Sequence, residues 1–211
     1  MKKLVILSKE SVFSGYVKCG NAELSASLAV SLSENYEVTL IVGNGLSRLP
    51  YIAGQVVEKE KGVLYTRFSK VNYYIIDLNL WPSKPIELIN SIKPDIFHNL
   101  DDIDIIQQLN FKPEKSILTF DYIQDIEPKI NLLTYYDNIN THSETYANSL
   151  KNKRDMASAA LAASNFTGII PGILTEFFDP EKGLLIPAKY SAESYEGKAI
   201  CKQRLIDSYG L

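Results

Sequence analysis

The sequence predicts an α/β fold with a parallel central sheet flanked by helices, and three features of its first 42 residues predict it. Residues 4–7 form a short continuous apolar run, which is typical of a strand buried on both faces. Leu24, Leu28 and Leu32 then lie four apart, with Ala29 assigned to the same side, and predict a helix that lays one stripe on the sheet. A second strand, residues 38–42, follows so closely that the unit must be a right-handed crossover.

The loop before this helix is a candidate anion site. The first turn of a helix has N–H groups without partners, and together with the helix dipole they attract an anion. Gly20 allows close approach to the backbone, Asn21 is a favourable cap, and Lys18 can place an ammonium group beside it. The loop therefore either binds a diphosphate or sugar phosphate or merely starts a helix, and the spacing favours neither.

Composition excludes several classes of protein. The chain has 211 residues, 45% hydrophobic and 22% charged, which fits a globular protein of one domain, or two at most. Its net charge of -3 provides no basic surface for nucleic acid or an anionic membrane. The two cysteines, at positions 19 and 201, form no metal-binding pair, and the apolar run at the N-terminus is too short for a signal peptide or a membrane span. We expect a cytoplasmic protein.

The region between residues 44 and 80 alternates between turn-rich and strand-like sequence. Residues 43–54 read as a linker, two short strands surround Lys61 and Gly62, and another strand covers residues 71–78. Its aromatic residues, together with one from the preceding strand, could stack on a sugar ring, although packing is the commoner role. We assign Tyr65, Tyr73 and Tyr74 to packing.

Strands and helices alternate through the second half as well. Pro85 opens a helix, and strands end near His98, Asp121 and His142. Polar residues therefore follow the strands, where ligands bind in open α/β sheets, although Asp101 and Asp102 could equally cap the next helix.

The last 64 residues divide into three parts by composition. Residues 148–164 predict one long helix or two short ones, and residues 165–187 contain too many Gly and Pro for one regular element. Residues 192–211 predict a final helix that ends at Gly210.

Four segments resemble the bacterial glycogen synthases and plant starch synthases. The segment VKCGNAEL is similar to the family's "K.GGL.DV" loop, KPDIFHNLDD to "PDVVHAHDW", and THSETYANSL to "TVSPTYAEEI". The C-terminal segment matches the stretch by which the family's first domain leads into its second. Its matching positions are Gly172-Ile173, Asp179-Pro180, Leu185, Tyr190-Ser191, Gly197-Lys198, Lys202, Leu205 and Gly210-Leu211.

The resemblance implies the N-terminal, acceptor-side half of a GT-B fold, in which two Rossmann-like domains face each other across a cleft. On that basis residues 1–190 form the Rossmann-like domain, and residues 191–211 form an exit helix leading towards an absent C-terminal, donor-binding domain. The implied enzyme is a retaining glucosyltransferase that passes glucose from a nucleotide sugar of the ADP-glucose type to an α-1,4-glucan. We expect this chain alone to be inactive.

The resemblance also implies the site. It assigns Asp121 and Glu23 to catalysis and the remaining matched polar residues to substrate binding, and it implies no metal and no cofactor. The substrate-binding residues are Lys18, Gly20, Asn21, His98 and Asp101. The expected partners are the nucleotide sugar, the α-glucan and the second GT-B domain, with no nucleic acid and no membrane.

Three positions depart from the family pattern. Asp121 stands where the family has a histidine, Asp102 where it has a tryptophan, and Leu174 where it has an aspartate. A carboxylate carries charge where an imidazole can stay neutral, so the donor geometry cannot be carried over unchanged. Two alternatives therefore stay open: a non-catalytic relic that binds a glucan or a partner, and a GT-B transferase with a different acceptor.

Overall fold

A computed structural model describes residues 1–11, 21–44, 56–100, 102–172, 179–183 and 186–210. Nine strands within these ranges form one sheet in the order β3-β4-β5-β2-β1-β6-β7-β8-β9. The strands are β1 Lys3–Ser8, β2 Glu37–Asn44, β3 Val57–Glu60, β4 Val63–Phe68, β5 Val71–Asp77, β6 Ile96–Asn99, β7 Lys115–Thr119, β8 Asn138–Thr141 and β9 Phe166–Gly168. Seven neighbouring strands pair in parallel, in the order β5, β2, β1, β6, β7, β8 and β9. The predicted fold class is therefore confirmed.

Helices connect and cover these strands. The α-helices are α1 Asn21–Leu32, α2 Ser83–Ile92, α3 Ile123–Ile126, α4 Glu144–Lys151, α5 Met156–Ala163 and α6 Glu196–Tyr209. Short 3₁₀ helices cover Leu78–Leu80, Ile103–Gln108 and Glu127–Tyr135. Helix α2 begins two residues before Pro85 and ends at Ile92, and the capping residue Lys93 has a left-handed backbone.

Strand β1 lies at the centre of the sheet. It pairs in parallel with β2 on one side and β6 on the other, and Val5 aligns with Thr39 and Phe97. Its apolar residues are buried on both faces, as the continuous run predicted. The residues that directly follow β1 and β6 therefore lie next to each other.

Helix α1 packs through its small residues, so the predicted leucine stripe is wrong. Ala22, Ala26 and Ala29 are fully buried, whereas the three leucines are only partly buried. Helix α1 contacts β1 and β2, and small side chains allow a helix backbone to lie close to a sheet. The hydroxyl of Ser25, also fully buried, donates to the carbonyl of Glu10 at 3.0 Å, which ties the helix to the segment after β1.

An antiparallel hairpin extends one side of the sheet. Strands β3 and β4 flank the turn at Lys61 and Gly62, as predicted, and Gly62 has a φ of 81° that favours glycine. Tyr73 is fully buried, and the rings of Tyr65 and Tyr74 lie 5.1 Å apart. Packing is therefore the observed role of these tyrosines.

The other side of the sheet carries a strand that the sequence did not predict. Strand β9 has three residues, and Phe166 stacks on Phe120 with the ring centroids 5.6 Å apart. A side chain at Gly168 would overlap the backbone of Ser143. Helices α4 and α5 are separate and are capped by the side chains of Ser143 and Asp155, which settles the alternative of one long helix or two short ones.

The chain divides into two compact units, Met1–Pro171 and Gly172–Leu211. The second unit contains α6, which ends at Gly210 in a left-handed conformation, as predicted. Within this unit, Gly197 has no room for a side chain because the carbonyl of Lys189 occupies that space. Among the described residues, no helix combines the length and the apolar character needed to cross a bilayer.

Candidate functional site

The segments that follow β1, β6, β7 and β8 meet at one edge of the sheet, which we call the carboxyl edge. These four strands are neighbours and run parallel, so their carboxyl ends point the same way. Polar side chains from all four segments lie there, and in this class of sheet such an edge is where ligands bind. The side chains are Lys9, Asp102, Asp121 and His142.

Asp121 and His142 form an ion pair at this edge. Asp121 follows β7, His142 follows β8, and Asp121 Oδ1 lies 2.6 Å from His142 Nε2. The side chain of Asp121 is 8% exposed and that of His142 is 35% exposed. The two atoms are therefore in direct contact, and the ring lies against the carboxylate. The imidazole is thus held by a buried anion.

Lys9 and Asp102 form a second pair beside the first strand. Lys9 Nζ lies 2.7 Å from Asp102 Oδ1, and the indole of Trp81 donates to the other carboxylate oxygen. The ammonium group also lies 5.9 Å from the centroid of the Trp81 ring. The carboxylate of Asp102 makes no capping bond to the 3₁₀ helix that follows it, so it acts as a bridge between segments.

A buried network fixes the backbone after β6. The amide of Asn99 donates to the carbonyl of Asp102 at 2.6 Å and to the hydroxyl of Tyr136 at 2.8 Å. The Tyr136 hydroxyl donates in turn to the carbonyl of Ile103 at 3.0 Å. Burial raises the pKa of Tyr136 far above its usual value, so the hydroxyl stays a donor at neutral pH. The backbone position of Asp102 is therefore fixed by these buried hydrogen bonds.

His98 lies below this edge and contacts the interior. Its side chain is buried, and its Nε2 lies 2.7 Å from the hydroxyl of Thr119. That hydroxyl donates to the amide oxygen of Asn140, so His98 donates through Nε2. Burial lowers the pKa of His98 to about 4, which keeps the ring uncharged at neutral pH.

The other predicted site residues are placed as follows. Glu23 lies in the first turn of α1 and is partly exposed, and Asn21 is the first residue of that helix. Because α1 follows β1, its first turn belongs to the carboxyl edge. Lys18, Gly20 and Asp101 lie outside the described residues. The roles assigned to all seven predicted residues stay predictions.

His142, Lys9 and Trp81 are site residues that the sequence reasoning did not assign. A signal for the first two existed, since each directly follows a strand. No sequence pattern connects Trp81 to Asp102, because the contact depends on how the segment before α2 folds back. Within the described ranges, no three His, Cys, Asp or Glu side chains group together in a way that could hold a metal ion.

Comparison with known proteins points to one group of enzymes. No protein-family model matches the chain. Over 84 residues it is 39% identical to the glycogen synthase of Paracidovorax citrulli (strain AAC00-1), an alignment that covers 37% of this chain and 16% of that protein. Over 85 residues it is 31% identical to the glycogen synthase of Yersinia pseudotuberculosis serotype IB (strain PB1/+), covering 37% and 18%. The match thus spans less than a fifth of these relatives.

The fold has a solved counterpart. The whole chain superimposes on 59% of the catalytic domain of Starch Synthase IV from Arabidopsis thaliana, a structure bound to ADP and acarbose, with a TM-score of 0.75 and 14% identity. At that identity the likeness shows the fold. The chain therefore has a fold like that of GT-B glycosyltransferase domains. More narrowly, it is glycogen-synthase- and starch-synthase-like, in sequence over about a third of its length and in fold over all of it.

Proposed function

We propose that the chain supplies the acceptor-side wall of a retaining glucosyltransferase in glycan biosynthesis. In this proposal, glucose passes from a nucleotide sugar of the ADP-glucose type to an α-1,4-glucan in the cytoplasm. A C-terminal GT-B domain, which these residues do not include, would supply most of the contacts to the nucleotide. The Rossmann-like domain would occupy residues 1–190 and the exit helix residues 191–211.

One observation carries the proposal. In a chain of glycogen-synthase-like sequence and fold, the carboxyl edge of the parallel sheet gathers two charged pairs from four neighbouring segments. Ligands of open α/β sheets bind at such an edge. Carboxylate, ammonium and imidazole groups together provide donors and acceptors for sugar hydroxyls.

Roles at the edge follow from charge. We assign Lys18 and the first-turn amides of α1, next to Gly20 and Asn21, to the diphosphate of the donor, since a helix start with a nearby cation stabilises negative charge on a leaving group. Glu23 and Asp101 are assigned to sugar hydroxyls. Support comes from α1 itself, which begins at Asn21 on the same edge as the two charged pairs.

The carboxylate at position 121 favours a second candidate function. It stands where the resemblance implies a histidine, and it is engaged by His142. A GT-B transferase with another acceptor, or a non-catalytic glucan-binding module, would tolerate that change. Catalysis and binding are therefore tested separately.

Calorimetric titration of the chain tests the binding half of the proposal. Maltoheptaose, an α-1,4-glucan, is expected to bind, and cellohexaose, its β-1,4-linked control, is not. ADP-glucose is expected to bind more weakly than in a complete synthase because most nucleotide contacts are assigned to the other domain. If neither maltoheptaose nor ADP-glucose released heat beyond dilution, the chain would have no glucan or donor site.

Transfer of labelled glucose from ADP-glucose to glycogen tests the catalytic half. The chain alone is expected to show no transfer above a no-protein control. Measurable transfer by these 211 residues would contradict the assignment of the donor-binding half to another domain.

A further inference from the structure

The ring of His142 has one nitrogen committed and one available. Nε2 lies 2.6 Å from Asp121 Oδ1, and no hydrogen bond to His142 Nδ1 is present among the described residues. The ring is about a third exposed, and its partner carboxylate is buried. The imidazole, and not the carboxylate, is therefore the exposed part of the pair, and Nδ1 is its nitrogen that does not contact Asp121.

The backbone on both sides of the pair is held in register. The N–H of Phe120 donates to the carbonyl of Asn140 at 3.1 Å, and the hydroxyl of Thr141 donates to the carbonyl of Phe120 at 2.9 Å. These bonds connect the residues immediately before Asp121 and His142. A ring held by a buried carboxylate on a tied backbone loses little freedom when it binds a ligand.

The charge of the pair favours a neutral ligand. The buried carboxylate of Asp121 compensates the charge of the imidazole, so the ion pair offers no excess positive charge to a diphosphate. A sugar hydroxyl both donates and accepts, so it can pair with Nδ1 whether that nitrogen carries a proton or not. The chemistry at this corner of the carboxyl edge is therefore that of a polyol site.

We infer that His142 contacts a sugar hydroxyl through Nδ1 and that Asp121 is its positioning residue. The inference rests on the proposed function, because the sugar belongs to the glucan or to the donor bound at that edge. Under this inference Asp121 does not act on the substrate itself. It orients the imidazole ring of His142, and that ring contacts the substrate. The hydroxyl can come from either ligand, and titration with each distinguishes them.

Nitrogen-15 NMR of the histidine rings tests the contact directly. The chain has two histidines, so the signals that disappear in His142→Asn are those of His142. Maltoheptaose or ADP-glucose is expected to shift Nδ1 of His142 and to leave the ring of His98 unchanged, since that ring is buried. The ligand that produces the shift identifies the source of the hydroxyl.

Affinity measurements on variants separate contact from positioning. We expect His142→Asn to weaken the same ligand about fivefold, the loss of one neutral hydrogen bond. Asp121→Ala should weaken it similarly, whereas Asp121→Asn should restore most of the affinity, because an amide of the same size still lies against the ring. The double variant His142→Asn/Asp121→Ala should bind no worse than His142→Asn alone, since the two residues act as one unit.

Each contrary outcome has a distinct meaning. If maltoheptaose binds but neither shifts Nδ1 of His142 nor loses affinity in His142→Asn, the inference is wrong and the proposed function stands. If Asp121→Asn loses as much affinity as Asp121→Ala, Asp121 contacts the sugar itself. If the unmodified chain binds neither ligand, the proposed function fails first, and the sugar contact fails with it. Circular dichroism of each variant controls for folding.

Discussion

His98 Nε2 lies 2.7 Å from the hydroxyl of Thr119, inside the sheet and below the carboxyl edge. Protonation of this imidazole would place a positive charge away from water. Burial therefore lowers its pKa from 6.5 to about 4. Between these two values the unfolded chain binds more protons than the folded chain. The free energy of unfolding therefore falls as the pH falls from 6.5 to 4, and this contribution is fully present only above pH 6.5.

Urea titrations across that pH window test the burial of His98. We expect the contribution of this residue to fall by about 3 kcal/mol between its unfolded and folded pKa values. The variant His98→Gln should flatten this part of the pH dependence relative to the unmodified chain. An unchanged pH dependence in His98→Gln would show that the imidazole is not buried as described.

Helix α1 provides a test of packing. Ala26 is fully buried against the sheet and Leu28 is only partly buried. We expect Ala26→Leu to destabilise by about 2 kcal/mol through overpacking, and Leu28→Ala by only about 1 kcal/mol. Chemical denaturation of both variants shows which of the two loses more stability. If Leu28→Ala were the more damaging, the leucine stripe would face the sheet after all.

Gly168 in β9 has no space for a methyl group, because a side chain there would meet the backbone of Ser143. Gly168→Ala is expected to lower stability by about 2 kcal/mol or more. Gly172→Ala is the matched control, since a side chain there meets nothing within 4 Å. Thermal unfolding compares them, and equal midpoints would mean that β9 does not dock against the start of α4.

The bridge from Asp102 to Lys9 and Trp81 predicts a spectroscopic change. Asp102→Ala leaves both donors without this acceptor and is expected to cost about 1–2 kcal/mol. Trp81 is the one tryptophan in the sequence, so its emission reports on this contact. Glu114→Ala, which breaks the exposed pair with Lys2, should change neither the emission nor the midpoint. An unaltered emission spectrum in Asp102→Ala would show that Asp102 does not contact Trp81 as described.

The sequence predicted the sheet well where local pattern controls structure. Apolar runs mark β1, β2 and β7 because strands buried on both faces need no alternation. Because parallel strands end at the same edge of a sheet, the pattern also places Asp121 and His142 at that edge before any distance is known.

What the sequence missed depends on contacts between distant segments. Strand β9 is three residues long, and it is a strand only because it pairs with β8. The face of α1 that packs on the sheet does not follow the leucine spacing, because the close contact between helix and sheet requires small residues. The Asp121–His142 pair depends on the register of β7 and β8, which no single segment encodes.

The account is tested most directly by mapping the maltoheptaose site on the chain by amide NMR. We predict that the shifts cluster in the segments that follow β1, β6, β7 and β8 and in the first turn of α1, with cellohexaose producing none. Shifts confined to the opposite edge of the sheet, where β1, β6 and β7 begin, would contradict a sugar site at the carboxyl edge.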